Sequence, residues 1–229
     1  MSTIRILAFG FVILAFLTAA YAYPHMPEKM ATHWGVEGEI NGFAGRDMGV
    51  FFMPLFMLVV FGIFIVLPEL DPLKDNYKFF IREYDTFTAL MISFLFYLYA
   101  LTLIYNLGVV FELMRFIAPA AGIIIFYMGV LLKKAKQNWF VGIRTPWTLS
   151  SEGVWERTHR VTGNIFQAAG VLAFIGTAFP AVLVSSAAVI IGATIFSLIY
   201  SYMEFAKERK ALVAHTVKLP KKSPRARKR

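Results

Sequence analysis

The apolar positions of this chain are gathered into long blocks, not spread at the spacing of amphipathic helices or alternating strands. A helix crossing about 30 Å of hydrocarbon needs roughly 20 apolar residues. Six blocks reach that length: about Ile4–Tyr23, Met48–Leu67, Thr86–Leu107, Val109–Leu132, Gly163–Val184 and Ser186–Phe205. In lipid every backbone polar group has to be satisfied within the segment, so each block is expected to be helical despite its β-branched residues. Pro68 is expected to stop the second helix, while Pro54 and Pro119 fall inside the second and fourth. The third and fourth blocks are separated only near Asn106 and Gly108, and the fifth and sixth only by Pro180 and Ser185-Ser186. Both pairs predict antiparallel hairpins. The expected fold is an all-α polytopic bundle of six transmembrane helices.

Between the blocks the polar residues carry the orientation. Arg5, three basic residues in 68–85, six in 133–162 and ten in 207–229 fall on one side of a six-helix arrangement. Lys29, Arg46 and Arg115 fall on the other. Twenty against three, under the preference of Lys and Arg for cytoplasmic loops, places both termini inside. Three regions follow: 1–67, a helix pair with an outer loop at 24–47; 68–206, four helices with an inner loop at 133–162; and 207–229, a basic tail. The tail ends in KKSPRARKR and is expected to be disordered and drawn to anionic lipid headgroups.

Composition agrees with this picture. The chain has 229 residues, of which 58% are hydrophobic and 16% charged, against about 25% charged in soluble domains. The net charge of +9 would suggest nucleic acid in a soluble protein. Here it sits in the segments that set topology, so no direct nucleic-acid binding is expected. The absence of cysteine excludes disulfides, thiolate zinc sites and cysteine nucleophiles. Arg5 ahead of an apolar run resembles a signal peptide. The run is too long for one, so it reads as a retained helix.

The outer loop, PHMPEKMATHWGVEGEINGFAGRD, is entered through Pro24 and Pro27 and punctuated by Gly35, Gly38, Gly42 and Gly45. Asn41-Gly42 is a turn signal. The loop reads as a compact cap with Trp34 at the membrane interface, or as a recognition surface facing outward. His25, His33, Glu28, Glu37, Glu39 and Asp47 match no metal-ligand spacing, and no metal or cofactor is expected.

The inner loop, KKAKQNWFVGIRTPWTLSSEGVWERTHRVTG, holds the densest chemistry. Lys133, Lys134 and Lys136 suit the end of the fourth helix. Asn138, Trp139 and Phe140 form an aromatic cluster, Gly142 allows a turn, and Thr145-Pro146 forces an extended step. Ser150 is the expected N-cap of a short helix, with Leu149 and Val154 as a hydrophobic staple and Glu152 in its first turn. That helix is expected to turn at Gly163 into the fifth span. Glu156 and Arg160 form an i,i+4 pair. Trp155, Thr158, His159 and Thr162 share one face. Ser150, Ser151, Glu152 and His159 supply the residue types of a hydrolase without a nucleophile elbow, so no enzymatic activity is expected. Arg144 beside Trp139 and Trp147 suits either anchoring to lipid or holding a phosphate-bearing headgroup by charge and cation–π contact.

The run Asn138-Trp139-Phe140-Val141-Gly142-Ile143-Arg144-Thr145-Pro146-Trp147-Thr148-Leu149-Ser150-Ser151-Glu152, with Trp155 and Thr158-His159-Arg160, resembles the signature of the SdpI family of bacterial and archaeal membrane proteins. Pro24, Pro27, His33-Trp34, Gly38 and Asn41-Gly42-Phe43 are similar to a short domain of unknown function that often precedes it. The resemblance implies a multi-pass plasma-membrane protein of the immunity family. Its founding member protects a producer cell from a secreted peptide toxin and draws a transcriptional repressor to the membrane. The implied partners are therefore a peptide toxin outside and a repressor or other protein inside. The residues expected to meet the inner partner or ligand are Asn138, Trp139, Gly142, Arg144, Thr145, Pro146, Trp147, Ser150, Glu152, Trp155, His159 and Arg160. Those expected outside are Pro27, His33, Trp34, Gly38, Asn41 and Gly42. A transporter or channel, or an accessory subunit of a membrane complex, remains as the alternative. A membrane enzyme using His159 with Glu152 or Arg144 ranks below these.

Overall fold

The computed structural model describes residues 2–35, 38–176 and 180–218, with the side chains of Met114, 180–187 and 215–218 excepted. The chain is predominantly helical. Helix α1 spans Thr3–Ala22, α2 Arg46–Leu70, α3 Ile81–Asn106, α4 Leu113–Lys134, α5 Pro146–Ser150, α6 Glu152–Ile175 and α7 Pro180–Lys218. Strands β1 (Lys29–Trp34) and β2 (Ile40–Gly45) form one antiparallel hairpin between α1 and α2. The apolar blocks gave no sign of this sheet, so the fold departs from purely all-α there.

Among the described residues, α1, α2, α3, α4 and α7 are long and apolar enough to cross a membrane. The expected fifth span, α6, is not. Glu152, Glu156, Arg157 and Arg160 occupy its first half. Only residues 161–175 beyond them are free of charge, about 22 Å of helix.

Several boundaries move from where the apolar pattern put them. Helix α2 does not stop at Pro68 but runs one residue pair past it. A proline at 68 leaves the carbonyl of Phe64 without its i+4 donor. The Tyr84 hydroxyl donates to that carbonyl at 2.8 Å, replacing the lost bond. Helix α3 begins five residues before the apolar block, because Asp85 in its first turns is held by Ser2 (2.6 Å) and Arg5 (2.7 Å). Helix α4 begins at Leu113, four residues late, after a connection through Gly108 at φ +97°. No turn occurs at Gly163, since the loop helix and the fifth apolar block are one continuous α6. It ends against Gly176, whose N–H bonds the Leu172 carbonyl at 2.8 Å. Ser185-Ser186 lies inside α7, and α7 continues through 207–218, where a disordered tail was expected. The rest of that tail, 219–229, lies outside the described residues.

Two packing schemes hold the helices. Around α1 the contact is side chain on side chain. Ala8, Val12, Ala15 and Ala19 form a buried stripe at spacings of four and three, and their small size lets α1 settle onto Val50, Met57, Ile92 and Tyr99 of α2 and α3. Between α4 and α6 the contact is backbone on backbone. A Cβ on Gly129 would stand 2.4 Å from the Gly163 carbonyl, and one on Gly170 would stand 2.6 Å from the Gly122 carbonyl. The glycines repeat every seven residues on both helices, two turns apart, so the antiparallel pair meets at two levels. Helix α7 then lies antiparallel on α6, with Thr162 against Ser197 at 2.7 Å.

Candidate functional site

Successive long helices alternate in direction, so the two loops singled out in the sequence sit at opposite ends of the helices. Helix α3 runs between them, 26 residues or about 39 Å long. Its first turn stands beside the inner loop and its last residue, Asn106, touches the hairpin. The residues expected to act outside and those expected to act inside are therefore separate sites.

The inner loop is built on buried polar groups. Asn138 is fully buried. Its Oδ1 accepts from the N–H groups of Phe140 (2.9 Å) and Val141 (2.6 Å), and its Nδ2 donates to the carbonyls of Lys136 (2.8 Å) and Val141 (2.9 Å). A single side chain thus folds the backbone around itself and saturates its own amide. From the end of α2, buried Asp71 accepts the Trp139 N–H at 2.9 Å, and Asn76 donates to the Gln137 carbonyl at 2.7 Å. Gln137 in turn donates to the Thr148 and Leu149 carbonyls at the end of α5, at 2.8 and 2.7 Å. Thr145 caps this short helix, in a reciprocal capping box with Thr148 and with Pro146 in the first turn. The helix for which Ser150 was the expected N-cap is α6, and its cap lies one residue on. Ser151 caps α6.

His159 belongs to this framework. Its Nε2 accepts the Ile143 N–H at 2.9 Å, which assigns the proton to Nδ1, and Nδ1 meets the Trp155 carbonyl at 2.8 Å. Its ring stacks on Trp155 at 3.9 Å, and the Trp155 indole donates to the Ala135 carbonyl at 2.8 Å. Burial pushes the His159 pKa down to about 4, so the ring is neutral at ordinary pH. Gly142 has φ +117°, and a Cβ there would stand 2.3 Å from His159 Nε2. Only glycine satisfies both conditions.

The remaining predicted inner residues face outward or make surface pairs. Arg144 is exposed and donates to the Trp139 carbonyl at 2.9 Å, and Trp139 is half exposed. Trp147 packs edge-on against Tyr202 at 5.2 Å. Ser150, Glu152 and Arg160 are exposed. The expected Glu156–Arg160 pair gives way to Glu156–Lys136 at 2.6 Å. The hydrogen bond from Lys136 holds the Glu156 carboxyl below its usual range. Reading the sequence missed the hub beside it, Arg157. That residue reaches Glu204 at 2.7 Å and Glu208 at 2.6 Å on α7, while Ser151 donates to Glu208 at 2.5 Å. Two acids spaced four apart in an otherwise basic stretch were the available signal.

At the opposite end Asn106 does for the hairpin what a strand would do. Its Oδ1 accepts the Ala31 N–H at 2.8 Å and its Nδ2 donates to the Ala31 carbonyl at 2.9 Å. Asn41-Gly42 is not the turn. It lies in β2, where a Cβ on Gly42 would press on His33 Cβ at 2.7 Å and where the His33 and Asn41 side chains are bonded. The strands join through 35–39, with Gly38 at φ +87°. Trp34 packs edge-on against Tyr105 at 5.3 Å, and Pro27 is exposed ahead of β1. Of the acids weighed as metal ligands, Glu37 lies outside the described residues.

Residues 134–201 match the SdpI/YfhL protein family. Residues 10–58 match DUF1648, a domain of unknown function. The family segment thus starts at the end of α4 and takes in the signature loop, α6 and the first part of α7, while the second segment covers most of α1, the hairpin and the start of α2. The immunity protein SdpI of Bacillus subtilis (strain 168) is 26% identical over 166 residues, 72% of this chain and 77% of that protein. No solved structure matches the chain. The apolar helices and these similarities together describe a multi-pass membrane protein related to an immunity protein.

Proposed function

We propose that this chain is a non-catalytic plasma-membrane protein that protects against, or senses, a secreted peptide toxin. In this reading six helices cross the bilayer with both termini in the cytoplasm of a bacterium or archaeon. The hairpin faces out, and the signature loop faces in to meet a repressor or another protein. The observation that carries it is the similarity to the immunity protein SdpI across 72% of the chain.

The geometry supports the reading in three ways. The second half of α6 lies antiparallel between α4 and α7 along the glycine contacts, which suits a short sixth crossing whose charged first half stays at the headgroups. The basic residues gather at the end that carries the signature loop. Both nitrogens of His159 are committed to holding that loop, so this ring is not available as a general base. Arg144, Pro146, Trp147 and Arg160, on the outer surface of the loop, are then the residues for a partner or for lipid headgroups. Asn138, Gly142, Thr145, Trp155 and His159 shape the surface from beneath.

Expression of the chain in a toxin-sensitive host should raise survival in the presence of the toxin. Unchanged killing, at a level of membrane-inserted protein verified by blotting, would overturn the immunity role.

A further inference from the structure

Beneath the signature loop lies a cavity of about 400 Å³. Its walls come from both halves of the molecule: Phe64 and Leu67 near the end of α2, Tyr84 near the start of α3, Leu131 near the end of α4, and Thr194 on α7. Its roof is the signature backbone from Phe140 to Ile143.

Among the described residues no charged side chain lines it, and the hydroxyls that do are already bonded. Tyr84 donates to the Phe64 carbonyl at 2.8 Å, Thr194 donates to the Ile190 carbonyl at 3.0 Å, and Thr162 shares its bond with Ser197. Two roof amides are taken as well, Val141 by Asn138 and Ile143 by His159. A polar ligand would lose its hydration here and gain little in return. A hydrocarbon chain would lose nothing. The volume is that of a small-ligand pocket, and the walls from α2, α3 and α4 lie within about two turns of those helices' ends, near the depth where lipid chains begin. Exposed cations stand close along the chain to the lining residues. Lys134 lies one turn beyond Leu131 on the same face of α4, while Lys133 donates to Gln167 at 3.0 Å and Arg82 and Arg160, each two residues from a lining residue, lie on other faces of their helices. Lys134 suits an anionic headgroup at the mouth.

We propose that this cavity holds one acyl chain of an anionic phospholipid drawn from the leaflet on the signature-loop side. The chain fills the junction between the α2–α3 ends and the α4–α6–α7 group, and the headgroup rests beside Lys134. This site is independent of what the protein senses and of which side of the membrane the loop faces.

The test is native mass spectrometry of the full chain, purified in mild detergent from membranes containing phosphatidylglycerol. The wild type should retain a bound phospholipid. Thr194→Trp, which fills the cavity, should lose most of it, while Thr194→Val, which keeps the size, should retain it. A second measurement uses the wild type alone, so it stands even if the filled variant fails to fold. A long-chain fatty acid should displace the retained lipid, and a dihexanoyl phosphatidylglycerol with the same headgroup should not. The proposal is overturned if the wild type retains no lipid, if folded Thr194→Trp retains as much as the wild type, or if the short-chain lipid competes as well as the fatty acid.

Discussion

The two ends of the molecule are each organised by one asparagine, and the difference between them is instructive. Asn106 projects from the end of a helix and pairs with one residue of a strand, Ala31, as a substitute for a second strand. Asn138 sits within its own loop, fully buried, and gathers the backbone of residues 136–141 around itself. The first is a tether on a half-exposed hairpin. The second is the centre of a web that also takes in Asp71, Gln137, Thr148 and His159. A tether fixes where an element sits, and a web fixes its shape. All of that web but Asp71 falls within the family segment.

The comparison is tested most severely below the web. Gly163→Val puts side-chain atoms where the Gly129 carbonyl lies and has to separate α4 from α6. Overpacking of this kind costs about 1–3 kcal/mol, and more where backbone meets backbone and neither side can give. We expect loss of monodisperse protein in size-exclusion chromatography, and a normal elution profile would show that the glycine contact does not set the platform. Asn138→Ala strands two buried N–H groups and two carbonyls, at a cost of about 3 kcal/mol. It should open residues 138–148 to hydrogen exchange while leaving the hairpin protected. Equal exchange in loop and hairpin would erase the distinction between web and tether.

The web also predicts a pH dependence. The folded-state pKa of His159 is lowered from 6.5 to about 4. Its contribution to stability is therefore fully present above pH 6.5 and is lost as pH falls toward 4, where the unfolded chain takes up the proton first. The loss is about 3 kcal/mol across that window. Thermal unfolding of wild type and His159→Gln should diverge in pH dependence there, and parallel profiles would show that His159 does not stay neutral. At the other end Asn106→Ala should cost about 1 kcal/mol and release protection of the Ala31 amide, with the inner loop unaffected. The smallest effect belongs to the exposed Lys136–Glu156 pair. Replacing Lys136 with Ala should change stability by less than about 1 kcal/mol, read as a shift of the thermal midpoint that disappears in high salt.

Much of the helical layout was legible because lipid makes one demand, about 20 apolar residues per crossing, and a sequence displays composition directly. The errors fall where a partner distant in sequence intervenes. Pro68 reads as a stop until Tyr84 supplies the missing bond. Gly163 reads as a turn until Gly129 occupies the space its side chain would need. Asn41-Gly42 reads as a turn until His33, across the sheet, shows why no Cβ is tolerated. In the candidate site, the residue types and their segment were legible, and their division of labour was not. His159 and Asn138 look like functional groups in a list of residues. In space they are internal supports, and the hub Arg157 passed unnoticed because its acids lie about fifty positions away.

What the sequence determined by itself was therefore whatever depends on local composition: a membrane protein, the helical blocks, the segregation of basic residues to one set of loops, and the family segment. What only the tertiary structure decided was which polar groups look inward and which look out. Hydrogen bonds and glycine contacts are made between residues brought together by folding, and each buried donor or acceptor is fixed by the partner it finds there.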